Sequence, residues 1–262
     1  MNYYKGYSFL LSIVCYLLAV ACTSTPPPSS EQTTTLAASI DSFKTEMLAF
    51  SQAIAATIPE PGFTPAELDS IFQLNDTTWV NLEDLHPEIE IDLRYATTNN
   101  FMELQIYDCA QCYLRLATAK ALLNAQKELE EQNLGFKMFD CYRPKSAQYK
   151  LWKKVPDPRY VSPPSRGSMH SRGGALDLTI IQLDSREELE MGTEYDYFGR
   201  KAYWINKDLP KETLDNRQLL RSTLEKHGFK TVTTEWWHFS YRRAWFKLSD
   251  MQWDCNKSVK DF

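Results

Sequence analysis

Two short stretches of the chain concentrate residue types that bind metals and move protons. Gly167 to Ile180 reads GSMHSRGGALDLTI and carries His170 and Asp177, and Thr234 to Tyr241 reads TEWWHFSY and carries Glu235 and His238. The whole chain has four histidines, so these two stretches hold half of them. A catalytic zinc ion takes three protein ligands, drawn from His and Asp or Glu, and keeps a further position for water. His170, Asp177 and His238 supply two imidazoles and a carboxylate for such a site. Ser171-Arg172-Gly173-Gly174 forces a turn between His170 and Asp177, so the two need not share a strand's parity. Alternation along Ala175 to Ile180 sets Asp177 on the face opposite Leu176, Leu178 and Ile180. A lone carboxylate among such neighbours needs a partner, and a metal ion is a good one.

Glu235 and Arg143 complete the chemistry. A carboxylate beside zinc-activated water takes its proton and later hands it to the leaving amine. Glu235 has the right type for that base, but it precedes His238 by three residues in a β-prone stretch. Residues three apart in an ideal strand face opposite sides, so convergence requires a bulge or a loop. Glu235 is therefore expected at a loop edge, with His238 at the start of the strand. Arg143 closes Phe139-Asp140-Cys141-Tyr142-Arg143, and Pro144 ends regular structure there. A guanidinium aimed at the oxyanion of a tetrahedral intermediate stabilises it by about 3–4 kcal/mol. Taken singly, each residue has a plainer reading: Asp177 as a cap or ion pair, His170 and Arg143 as surface residues, Glu235 as a surface carboxylate beside a core Trp pair.

The elements that must position these groups read as mixed α and β. The chain has 262 residues, a net charge of −5 and 13% aromatic content, which fits a folded, pocketed protein and gives no reason to expect nucleic-acid binding. Thr64-Pro65-Ala66-Glu67 is a capping box with proline at N1, opening a helix through Phe72. Strands are expected over Ile89 to Tyr95, Phe136 to Tyr142 and Ala175 to Ile181, and β-prone sequence over Phe229 to Tyr241. Helices are expected over Ala117 to Leu134 (ended by Gly135 as C′ residue), Lys145 to Lys154 and Arg217 to His227 (stopped by Gly228). No regular βαβ rhythm appears. The fold class is α+β, a mainly antiparallel sheet flanked by helices, as a single catalytic domain over residues 78–262 with an N-terminal helical extension.

The beginning of the chain reads as an export leader. Phe9 to Ala21 is an apolar run, too short for a comfortable membrane span, and small residues Ala19, Val20 and Ala21 precede Cys22. Residues 1–21 are expected to be a signal peptide of lipoprotein type, with Cys22 lipidated, although ordinary cleavage after Ala21 fits the same residues. Residues 22–77 then hold a Pro/Ser/Thr-rich linker and a stalk helix marked by the stripe Leu36, Ile40, Phe43, Met47, Phe50 and Ile54. The mature protein is accordingly expected outside the cytoplasm, in the cell envelope or periplasm, held to a membrane by its lipid. Cys109, Cys112, Cys141 and Cys255 remain in the mature chain, an even number in an oxidising compartment, and favour disulfides of undetermined pairing over half a zinc site or a redox pair at Cys109-Ala-Gln-Cys112. His227, in the last turn of a helix, and His86, before Pro87, have structural readings.

Tyr95 to Phe101 (YATTNNF), Asp140 to Gln148 (DCYRPKSAQ), Ser168 to Thr179 (SMHSRGGALDLT), Met191 to Phe198 (MGTEYDYF) and Glu235 to Phe239 (EWWHF) occur in that order. The series resembles the D-alanyl-D-alanine dipeptidases of the VanX type, across roughly residues 80 to 245. The resemblance implies a zinc-dependent metallopeptidase, with a Zn2+ ion in each chain, that cleaves D-Ala-D-Ala. His170, Asp177 and His238 match the zinc ligands, Glu235 the catalytic base and Arg143 the transition-state arginine. Tyr95 and Ser168 sit at positions that line the site, and Asp196 is the candidate for meeting the substrate ammonium. An exported enzyme cannot act on the cytoplasmic dipeptide pool, so recovery of dipeptides released from peptidoglycan is expected rather than antibiotic resistance. The alternatives are a D,D- or L,D-carboxypeptidase acting on longer stem peptides, and a wall-binding lipoprotein that holds such peptides without cleaving them; an intact Glu235 speaks against the last. No pattern in the chain specifies an oligomeric state.

Overall fold

Thr64 caps helix α1 (Pro65–Phe72) as its sequence requires: its side chain accepts from the Glu67 N–H, and the Glu67 carboxylate accepts from the Thr64 N–H at 2.7 Å. The coordinates are a computed structural model that describes residues 63–255, together with Ile40, Lys44 and Thr45. The chain divides into two compact units, residues 1–60 and 61–262. In the first, Ile40, Lys44 and Thr45 are helical, while the leader, Cys22, the linker and the rest of the apolar stripe lie outside the described residues. No helix among the described residues is long and apolar enough to cross a membrane. α1 belongs to the second unit.

After α1 come β1 (Trp79–Asn81), a single helical turn α2 (Leu82–Leu85), β2 (Glu90–Ile91), β3 (Tyr113–Arg115) and α3 (Leu116–Glu130). Then follow β4 (Leu134–Asp140), α4 (Lys145–Lys154), β5 (Ala175–Gln182), α5 (Lys211–Lys226), β6 (Phe229–Val232) and β7 (Glu235–Tyr241). β1 and β3 form a small antiparallel pair, and the main sheet has the order β2-β4-β5-β7-β6. Every pairing in the main sheet is antiparallel except β2 with β4. The α+β class with a mainly antiparallel sheet is therefore the architecture observed.

β5 runs through the centre of the sheet, and its first seven residues are buried on both faces. Leu176, Leu178 and Ile180 join Phe136, Met138, Phe239 and the inner stripe of α3 (Leu116, Ala119, Leu122, Leu129) in one apolar core. A second tie joins α3 to the sheet, because the buried Gln126 side chain accepts from the Phe136 N–H at 2.9 Å.

Three elements depart from expectation. Only Glu90 and Ile91 of the stretch Ile89 to Tyr95 are strand; the chain then enters a 3-10 turn, Arg94–Ala96, that delivers Tyr95 to the interior. α3 stops at Glu130, and Asn133, with φ 59°, supplies the left-handed residue. Gly135 is instead inside β4, where a Cβ would meet the Leu183 side chain at 2.7 Å. α5 begins at Lys211, six residues before the expected Arg217, in a polar stretch whose first turns bury only Thr213.

Candidate active site

Asp177 and His238 are direct partners across β5 and β7, and Asp140 and Asp177 are partners across β4 and β5. Both neighbourhoods interrupt regular pairing. The β4–β5 register shifts between Met138 and Asp140, so Asp140 lies on the face of Asp177 rather than that of Met138. The β6–β7 register shifts between Thr231 and Val232, opposite the stretch from Glu235 to Phe239. That break lets Glu235, the first residue of β7, and His238, at its middle, line the same cavity despite their three-residue spacing. The irregularity anticipated from the sequence is present, and Glu235 does stand at the loop edge, directly after the Thr233-Thr234 turn; His238 lies at the middle of the strand rather than at its start.

His170 reaches the same point from a 3-10 turn, His170–Arg172, which Gly173 closes with φ 72°. The three side chains converge. His170 Nε2 lies 3.1 Å from His238 Nδ1 and 3.3 Å from Asp177 Oδ1, and His238 Nδ1 lies 2.9 Å from Asp177 Oδ1. Each imidazole is fixed from behind. His170 Nδ1 stands 2.7 Å from the Cys141 carbonyl oxygen, which can only accept, so Nδ1 carries the proton and Nε2 is free as a donor atom. His238 Nε2 meets Ser240 Oγ at 3.0 Å, leaving Nδ1 for the cluster. Backing contacts of this kind set the tautomer of metal-ligating histidines. Tyr195 donates to the other oxygen of Asp177 at 3.0 Å. Burial works to raise the Asp177 carboxyl, but the two imidazoles hold it well below the usual carboxylate range. His170, Asp177 and His238 can thus hold a metal ion.

Arg143 is buried beside them. Its Nε and Nη2 donate to Asp140 Oδ2 at 2.8 and 2.6 Å, its Nη1 donates to Gln148 Oε1 at 3.2 Å, and Nη2 lies 3.6 Å from Asp177 Oδ2. Burial alone would weaken the guanidinium as a cation, but the Asp140 carboxylate holds it charged. Glu235 is 9% exposed. Burial pushes its carboxyl well above the usual range, and Asp177 and Asp196 push it further against the opposing pull of Arg143.

The cavity these groups line has a volume of about 120 Å³. Asp196 stands in its wall with a left-handed φ of 58° and accepts from the Tyr95 hydroxyl at 2.8 Å. Burial, then the charge of Asp177, pushes the Asp196 carboxyl up to about 7. Ser168 lines the cavity and accepts from the His170 N–H at 3.2 Å. Aromatic rings form the rim: Phe198 packs on Phe101 and on Tyr160, each at 5.0 Å between centroids.

The structure therefore brings His170, Asp177, His238, Glu235, Arg143, Tyr95, Ser168 and Asp196 to one cavity. Sequence reasoning missed Asp140, Gln148, Tyr195 and Ser240. Asp140 is fully buried and accepts from Tyr107, Cys141 and Arg143. An acid three residues before an arginine at a strand end is the signal that pointed to it. Tyr195 and Ser240 carry no such signal, because an isolated Tyr or Ser in a β-prone stretch is ordinary.

Residues 75–257 match the family model of M15 peptidases described as D-ala-D-ala dipeptidase. The D-alanyl-D-alanine dipeptidase of Escherichia coli (strain K12) is 35% identical over 172 residues, covering 65% of this chain and 89% of the relative. The D-alanyl-D-alanine dipeptidase of Enterococcus faecium is 29% identical over 181 residues, covering 62% and 90%, and that of Streptomyces coelicolor (strain ATCC BAA-471 / A3(2) / M145) is 28% identical over 181 residues, with the same coverage. All the side chains gathered round the cavity fall inside the matched span, and on that match the chain belongs to the D-Ala-D-Ala dipeptidase family of M15 peptidases.

Proposed function

We propose that this protein is an exported zinc peptidase that hydrolyses D-Ala-D-Ala and similar dipeptides. The observation that carries the reading is the triangle of His170 Nε2, Asp177 Oδ1 and His238 Nδ1, with edges of 2.9 to 3.3 Å. Ligands about 2.0–2.1 Å from a tetrahedral zinc ion lie roughly 3.3 Å from one another, so the donor types and spacing both fit. When bound, zinc supplies a Lewis acid and a water whose pKa falls to about 7, together with a positive charge that opposes the burial-driven rise at Glu235.

The chain's own residues do the rest. Glu235 takes a proton from the attacking water as its oxygen bonds to the scissile carbonyl carbon. The tetrahedral intermediate places negative charge on the former carbonyl oxygen, and Arg143, held charged and rigid by Asp140 and Gln148, stabilises it. Glu235 then gives its proton to the departing amine as the C–N bond breaks, releasing two amino acids. Asp196, steadied by Tyr95, receives the substrate ammonium, and Ser168 holds the turn that carries His170. The small cavity and its aromatic rim favour a dipeptide over a longer stem peptide.

Residues 1–21 act as the leader and Cys22 is lipidated, which places the enzyme in the cell envelope, recovering dipeptides released from peptidoglycan. The Phe9 to Ala21 run and the small residues before Cys22 support this. So do the Cys109–Cys255 and Cys112–Cys141 disulfides, which belong in an oxidising compartment. Labelled fatty acid should enter the wild-type protein and not Cys22→Ala. The catalytic reading is tested by incubating the purified protein with D-Ala-D-Ala and with a pentapeptide ending in D-Ala-D-Ala, with and without chelator. Chelator-sensitive release of D-Ala from the dipeptide alone is expected. Release from the pentapeptide would make the enzyme a carboxypeptidase, and turnover unaffected by metal depletion would remove zinc from the mechanism.

A further inference from the structure

We infer that the Cys112–Cys141 disulfide is a positioning device for the His170, Asp177 and His238 cluster and for Arg143, beyond any part it has in folding. The inference rests on the metal-site reading above. Cys141 lies in the short segment after β4 that touches the site from three directions. Its carbonyl oxygen is the 2.7 Å partner of His170 Nδ1. Its N–H donates to Asp140 Oδ1 at 3.0 Å, and Asp140 Oδ2 holds Arg143. Two residues on, the Arg143 N–H donates back to the His170 carbonyl at 3.3 Å. The segment and the His170 turn thus clamp each other, and nothing regular extends β4 past Asp140 to keep the segment straight.

The disulfide supplies that restraint from the other side. Cys112 stands just before β3, its own carbonyl accepts from the Leu82 N–H at 2.9 Å, and Tyr142 N–H donates to the Tyr113 carbonyl at 3.0 Å. Both cysteines are buried, at 0% and 1% exposure. The bond therefore couples the segment behind His170 to the β1–β3 pair. The second disulfide, Cys109–Cys255, ties down the C-terminal segment, where Trp253 packs on Tyr107, Tyr113 and Tyr142. It closes 146 residues against 29 for Cys112–Cys141, so loop-closure entropy makes it the larger contributor to stability.

That contrast gives the test. Cobalt affinity and thermal midpoint are measured on the full chain, purified in detergent, as wild type, Cys112→Ala/Cys141→Ala and Cys109→Ala/Cys255→Ala. The Ala pair at 112 and 141 keeps the carbonyl that backs His170, so any loss of affinity reports its placement. We expect that pair to bind cobalt about tenfold more weakly or worse, the size typical of disturbed backing contacts to a ligand. The 109/255 pair should lose more thermal stability and less cobalt affinity. Equal affinity losses in the two pairs, or an unchanged affinity in the 112/141 pair, would overturn the inference while leaving the metal site standing. Wild type that binds no cobalt would remove the site reading and this inference with it. Should the Ala pair not fold, Cys112→Val/Cys141→Ala refills the space; failure of both to fold would assign the bond to folding alone and overturn the proposal.

Discussion

Asp177 and His238 are nearest partners on adjacent antiparallel strands, and their Oδ1 and Nδ1 atoms meet at 2.9 Å. Two of the three side chains that could hold a metal ion are thus set by sheet register, while the third, His170, arrives on a turn. Removing either imidazole should therefore empty the site without unfolding the sheet. His170→Ala and His238→Ala are expected to contain sub-stoichiometric zinc by elemental analysis and to be inactive, with circular dichroism close to wild type. Full zinc occupancy in both would refute the ligand assignment.

Glu235→Gln preserves shape and removes the proposed base. Metal content should stay at the wild-type level while kcat on D-Ala-D-Ala falls roughly 100- to 10,000-fold, the range for loss of a positioned general base. Activity within a few-fold of wild type would assign the base elsewhere.

Arg143→Ala should damage both chemistry and fold. Loss of an oxyanion donor costs about 100- to 1,000-fold in kcat. Asp140, at 0% exposure, would also lose its charged partner, and breaking a buried pair costs about 3–5 kcal/mol. Steady-state kinetics and urea unfolding report the two effects separately. Loss of turnover without loss of stability would mean that Asp140 finds another partner.

Asp196 should make the metal-free protein less stable as pH rises. Its carboxyl is pushed up to about 7, chiefly by burial. In the unfolded chain it titrates at about 3.9. The folded state holds the proton more tightly, so this group's contribution is complete below about pH 4 and is lost as pH climbs through 7. Unfolding free energies of chelator-treated wild type and Asp196→Asn, measured across that window, should diverge, with the variant showing the flatter profile. Parallel profiles would show that Asp196 does not titrate in the window.

Gly173 closes the turn that carries His170, with φ 72°, and a Cβ there would run into the Trp79 ring. Gly173→Ala is expected to cost about 1–2 kcal/mol for the left-handed backbone, and overpacking adds to it. A lowered thermal midpoint together with weakened metal retention is the expected outcome, and an unchanged midpoint would contradict the turn geometry.

The parts of the site legible in the sequence were those whose residue types are costly to bury without purpose. A histidine, an aspartate and a glutamate amid apolar strands call for partners, and alternation correctly set Asp177 apart from Leu176 and Leu178. Helix α4 was read at its observed limits, because Pro144 marks its start and its apolar spacing is regular. What escaped the sequence was geometry made by pairing. Regular alternation over Phe136 to Tyr142 would put Met138 and Asp140 on one face; only the register shift beside them, a property of the β4–β5 pair, parts them. The strand expected over Ile89 to Tyr95 failed for a similar reason: its alternation is real, but β4 offers it only two partners before the chain turns inward.

The Cys109–Cys255 bridge has a consequence for survival among proteases. Arg143, Ser168, His170, Asp177, Asp196, Glu235 and His238 all lie within the covalent ring it closes, and Tyr95 alone of the proposed site residues lies outside. A single backbone cut inside that ring, for example at exposed Asp184–Glu187, leaves both fragments joined. Nicked molecules would run as one band on a non-reducing gel and as two after reduction, and the two halves would stay together long enough to keep working.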